Sequence, residues 1–166
     1  MRFTWVESGG GPLVVVPEAL LVRWAGAEGD GPEETWGDYG RACAVDGYIG
    51  LVPVGAGHAL VLGDEPATTT YLPDERAFLR WSAADSEAAL VAAAETALRS
   101  SVRWDEELTW DAGGPAVLFD SAYPGPEPGP GDRLRVELPP GPHRVRAAYR
   151  EDASAWMHLV RLDPAA

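Results

Sequence analysis

Apolar and polar positions alternate most cleanly near the C-terminal end of the chain. Leu134, Val136 and Leu138 alternate with Arg133, Arg135 and Glu137; after Pro139-Pro140-Gly141-Pro142, Val145, Ala147 and Tyr149 alternate with Arg144, Arg146 and Ala148. A period of two belongs to strands with one buried face. With a third run from Trp156 to Leu162, it predicts a late antiparallel meander. In the middle of the chain the period changes: Leu90, Val91, Ala94, Leu98 and Val102 fall on one face at helical spacing behind Asp85 or Ser86, either of which can cap. A helix over about residues 85–101 follows, its stripe committed to core packing.

The first half reads as short strands punctuated by Gly and Pro. Leu13 to Val16 forms a strand after Gly9-Gly10-Gly11, and Pro17-Glu18 opens a short helix through Trp24. Residues 26–38 make a polar, Gly-rich loop. Arg41 to Val45, Tyr48 to Val54 and Ala59 to Leu62 follow as strands, separated by Asp46-Gly47 and Gly55-Ala56-Gly57, where positive φ is cheap. Thr68 to Leu72 and Ala77 to Trp81 make a hairpin across Pro73-Asp74-Glu75-Arg76.

The predicted class is therefore α+β: strand-rich, with two antiparallel meanders joined by one central amphipathic helix in a single domain, 1–166. Gly-Gly-Pro precedes an apolar strand at residue 10 and again at Gly113-Gly114-Pro115. Half-repeats 1–83 and 104–166, joined by helix 85–101, are one reading of that recurrence; short Gly-Pro-strand patterns also recur by chance.

Composition narrows the function classes. Seven Trp, five Tyr and three Phe oppose disorder, and all 13 basic residues are Arg, with Lys, Asn and Gln absent. The net charge of −13 repels nucleic acid and anionic membrane and attracts basic protein surfaces. It is uneven: residues 1–131 hold 21 acids against 7 Arg, and residues 132–166 hold 5 acids against 6 Arg. Lone Cys43, the lack of an opening run like a secretory signal, and apolar stretches too short to span a bilayer favour a soluble protein of the reducing cytoplasm.

Familiar catalytic constellations are missing. His58, His143 and His158 are scattered without metal-ligand spacing, Cys43 sits between alanines as a small hydrophobe, and the glycines from Gly50 to Gly57 separate strands where a phosphate loop would join a strand to a helix. No cofactor or metal is expected. Two acidic clusters stand out. Glu28, Asp30, Glu33, Glu34 and Asp38 surround Trp36 and Tyr39, while Asp105, Glu106, Glu107 and Asp111 lie beside Trp104 and Trp110. Anchoring aromatics ringed by charge suit protein interfaces. The partner-binding candidates are therefore Glu28, Asp30, Glu33, Glu34, Trp36, Asp38, Tyr39, Asp105, Glu106 and Glu107, with solvated charge as the bland alternative.

The runs Gly10-Gly11-Pro12-Leu13-Val14-Val15-Val16-Pro17-Glu18, Ala44 to Gly50 and Ala59 to Pro66 with Thr68-Thr69, then Leu118-Phe119-Asp120-Ser121 and the Arg-rich meander, resemble the immunity protein 21 family over nearly the whole chain. The resemblance implies a small cytoplasmic antidote, not an enzyme, that binds and neutralises a cognate polymorphic toxin of bacterial origin. Acidity fits a toxin with a basic surface; nucleic acid and membrane are not expected partners. Two other classes stay open: a small hydrolase using strand-end carboxylates such as Asp46, Asp64, Glu65 and Asp120, and an aromatic-lined module for a small ligand.

Overall fold

The computed structural model describes residues 3–27, 37–126 and 133–165. Its strands and helices, in chain order, are β1 (Leu13–Pro17), α1 (Asp38–Cys43), β2 (Ile49–Val54), β3 (Gly57–Leu62), β4 (Thr69–Leu72), β5 (Ala77–Ala84), α2 (Glu87–Leu98), β6 (Glu106–Asp111), β7 (Ala116–Asp120), β8 (Leu134–Val136), β9 (Pro142–Glu151) and β10 (Ala155–Pro164). Short 3-10 turns lie at Glu18–Arg23 and Pro73–Glu75. The strands form two antiparallel sheets, of order β2-β3-β1-β7-β8 and β4-β5-β10-β9-β6. The class is α+β, strand-rich with few helices.

Four layers follow from which way the side chains point. Leu13, Val15, Leu60, Leu62 and Leu118 of the first sheet meet Phe78, Val145, Ala147, Val160 and Leu162 of the second in a shared core. On the first sheet's other face, Val14, Val16, Val52, Val61 and Phe119 pack with Trp24 and Ala42, under the first 3-10 turn and α1. The second sheet's outer face puts Leu79, Met157 and Leu159 against Leu90, Ala94 and Leu98 of α2. Strands covered on both faces carry continuous apolar runs. This is why β1 reads Leu-Val-Val-Val with every residue buried.

The central helix starts where its cap demands: Ser86 Oγ accepts from Ala89 N at 3.1 Å. Two sequence expectations are corrected. Arg41 to Val45 is not a strand; α1 begins at Asp38, after Gly37 at φ 66°, and Asp38 Oδ2 holds Ala25 N at 2.7 Å. The late alternating runs do not share one sheet. β8 pairs with β7 in the first sheet, whereas β9 and β10 pair in the second, because Pro139 and Pro140 lack the N–H groups a hairpin ladder would use. The acidic run at 106–111 is itself a strand, β6, the edge of the second sheet. Each sheet takes strands from both sides of α2, and no helix among the described residues is long and apolar enough to cross a membrane.

Candidate functional site

Along its length the inward face of the second sheet changes from apolar to polar. Register sets Phe78, Val160 and Ala147 in one cross-strand row inside the shared core. The next inward row is Arg80, His158 and Tyr149. Beyond it, strand alternation brings Trp156 and Glu151, which are paired in register, to the same face, with Ser82 on β5. Strands β9 and β10 are ten residues long, while those of the first sheet span at most six. The inward face thus continues past the end of the shared core as a ledge, rimmed by Tyr48 before β2 and by the Gly63–Pro66 turn after β3.

Arg80 fastens that turn. Fully buried, it donates to Gly63 O at 2.7 Å, Glu65 O at 2.7 Å and Leu62 O at 3.4 Å. Burial lowers its pKa to about 10, partly opposed by the Glu65 and Asp64 charges, so it stays cationic at neutral pH. Asp64 adopts φ 72°, a conformation that short polar side chains tolerate better than most. The result is a tight turn that presents two adjacent carboxylates outward, each about half exposed.

His158 lies between Tyr48 and Tyr149, with ring centroids 5.0 and 4.8 Å away. Its Nε2 is 3.2 Å from Glu65 Oε1 and 3.8 Å from Asp64 Oδ2. Burial, reinforced by Arg80, holds its pKa below the usual imidazole value, so the neutral ring donates from Nε2 to Glu65. Its Nδ1 is buried without a hydrogen-bond partner among the described residues. Glu65 also accepts from Ser82 Oγ at 2.7 Å; that bond and His158 hold its carboxyl below the ordinary range. The order Ser82–Glu65–His158 places the carboxylate in the centre. A nucleophilic triad needs the imidazole there, touching the hydroxyl, and Ser82 instead donates to an anion made less basic.

Both tyrosine hydroxyls are held in the neutral form. Burial raises the Tyr48 pKa, with the Asp105, Asp64 and Glu106 charges adding to it; for Tyr149 the causes are burial and then its 3.0 Å bond to Glu151. The ion pairs among the described residues place arginines on Asp38, Asp163, Glu75, Glu95, Glu18, Glu137 and Glu107. None places one on Asp64, Glu65, Asp105 or Glu151. The ledge therefore carries four carboxylates, offset only in part by the buried Arg80 beneath Asp64 and Glu65, around three aromatic side chains.

The sequence candidates divide accordingly. Asp105 borders the ledge, its Oδ2 accepting from Tyr149 N at 3.0 Å. Glu106 sits beneath it as a latch between the sheets, accepting from Tyr48 N at 2.7 Å and Ile49 N at 3.4 Å. Gly47, at φ 91°, is required there, since a Cβ would lie 2.7 Å from that carboxylate. Tyr39 lines a cleft of about 290 Å³ with Cys43 on the far side of the Asp64-Glu65 turn. Asp38 is buried against Arg41, and Glu107 pairs with Arg144 on the opposite face of β6. Glu28, Asp30, Glu33, Glu34 and Trp36 lie outside the described residues. Of the other strand-end acids, Asp120 is buried and bonded to Gly9 N at 2.8 Å and Ala122 N at 3.0 Å. Sequence reasoning missed Tyr48, Arg80, Tyr149, Trp156 and His158. One signal was present: in Ala77-Phe78-Leu79-Arg80-Trp81, alternation puts Arg80 on the same face as Phe78.

The chain belongs to the immunity protein 21 family, whose model matches residues 4–155, from before β1 to the first residue of β10. No curated protein and no solved structure matches it.

Proposed function

We propose that this chain is a cytoplasmic antidote of a polymorphic-toxin pair, which binds its cognate toxin and neutralises it by protein–protein contact. Family membership supports the toxin-immunity role. The observation that carries the mode of action is the ledge: three aromatic side chains among carboxylates that no arginine forms an ion pair with, over a floor rigidified by Arg80 and His158. Large aromatics on a rigid base lose little freedom on binding, and uncompensated charge speeds encounter with a partner of opposite sign. Neutralisation needs no chemistry by the antidote, which fits a Ser82–Glu65–His158 order that leaves the hydroxyl unactivated.

Co-expression with the cognate toxin, sought among the products of neighbouring genes, is the direct test. Growth should be restored by the intact chain, and the purified pair should co-elute in a complex. Continued toxicity in the presence of folded, abundant antidote would defeat the proposal.

A further inference from the structure

We infer that the ledge is a receptor for a cationic side chain, arginine in preference to lysine, presented on a loop of the partner protein. This rests on the immunity reading only for the partner's identity; the recognition chemistry is read from the ledge itself.

Three independent features point the same way. The first is charge: Asp64, Glu65, Asp105 and Glu151 approach one exposed face from three elements of the rim, no arginine among the described residues forms an ion pair with any of them, and the buried Arg80 guanidinium, which attracts Asp64 and Glu65 from below, offsets only part of their charge. The second is aromatic surface. Trp156 is 47% exposed, one of two large hydrophobics so displayed among the described residues, and Tyr48 and Tyr149 are half-buried on either side of His158, one inward row away. A cation over such rings gains from the ring quadrupole, and the weakly hydrated, planar guanidinium can stack on an aromatic while meeting a carboxylate with two N–H groups. The third is the floor. His158 is 1% exposed, with Nδ1 unpartnered, so the polar row already bears the cost of desolvation without using its full bonding capacity.

A sheet face this aromatic would be covered by an apolar partner if the rim were neutral. The rim is anionic, and an apolar or acidic loop seated here would bury carboxylates without compensation. A basic loop satisfies both the rings and the rim.

The test uses the full chain labelled with ¹⁵N, titrated with a short arginine-containing peptide and with the same peptide carrying Glu for Arg. Shifts should concentrate on the Trp156 indole N–H and on the amides of Tyr48, Asp64, Tyr149 and Glu151, appear only with the arginine peptide, and weaken with salt. Asp64→Asn with Glu151→Gln, and separately Trp156→Ala, should each abolish them. All three positions are exposed enough for the variants to fold, and an unchanged spectrum elsewhere verifies it. Shifts spread over the whole acidic surface, or surviving in both variants, would overturn the inference. In a second arm the same variants meet an inactive form of the toxin. Trp156→Ala should weaken binding by about tenfold or more, while Glu137→Gln, whose charge is already paired with Arg135, should bind as the parent does. Undiminished toxin binding by the ledge variants overturns the ledge and leaves immunity standing. A parent chain that fails to protect defeats the immunity reading, and the peptide arm still decides the ledge.

Discussion

At the scale of single residues, the Arg80 and His158 positions govern how the molecule responds to mutation and to pH. Removing the guanidinium strands three carbonyls at the end of β3, so Arg80→Met should destabilise by about 3 kcal/mol, the sum of lost charge-assisted bonds and unpaired buried acceptors. Chemical denaturation would measure it, and Arg80→Lys should recover only part, since one ammonium cannot span all three acceptors. For His158 the sign follows from linkage. Its folded pKa lies below 6.5, so on acidification the unfolded chain takes up the proton first, and stability present above that value is lost as pH falls through it. Glu65, held below 4.5, contributes stability above that value that is likewise lost on further acidification. Melting temperature should therefore drop between about pH 7 and about pH 5.5, and His158→Gln should flatten that drop. An unchanged slope in the variant would show that other groups set the acid response.

At the scale of elements, periodicity was legible wherever one face of a strand or helix is distinct from the other. The α2 stripe is an example, with Leu90 fully buried and Leu98 at 2% exposure. Leu90→Ala should cost about 2–5 kcal/mol and Ser86→Ala about 1 kcal/mol, both measurable by denaturant titration. A Leu90 variant as stable as the parent would mean that the helix face is not packed as described. The elements that escaped notice did so for physical reasons. In β6, Glu106 occupies an inward position because its charge is absorbed by Tyr48 N and Ile49 N, so a half-buried strand position looks like part of a solvated acidic run. In α1, six residues are too few to display a helical period. The ledge is half legible: Asp105 and Glu106 stand out as an acidic run, and Asp64 and Glu65 as strand-end carboxylates. Tyr48, Tyr149, Trp156 and His158 meet only through the β9–β10 register and the turn that Arg80 holds, which are long-range facts with no local signature.

At the scale of the whole molecule, the proposed function predicts that 13 surplus negative charges speed association with a basic toxin at low salt, and that the rate falls steeply as salt is added. Stopped-flow measurements with Asp64→Asn and Glu151→Gln combined should give a shallower salt dependence than the parent. A parallel line would place the steering charge elsewhere on the surface. The order of strands has a temporal consequence too. β10 lies in the middle of the second sheet, between β5 and β9, and β7 joins β1 across most of the chain. Neither sheet can close until its late strands have been synthesised, and topologies dominated by distant pairings fold over milliseconds to seconds. On the ribosome, β4 and β5 must wait with an unsatisfied edge until Ala155–Pro164 emerges. Under the proposed function, protection begins only once β10 has emerged, so a cell producing both proteins is safest when the antidote is translated ahead of its toxin.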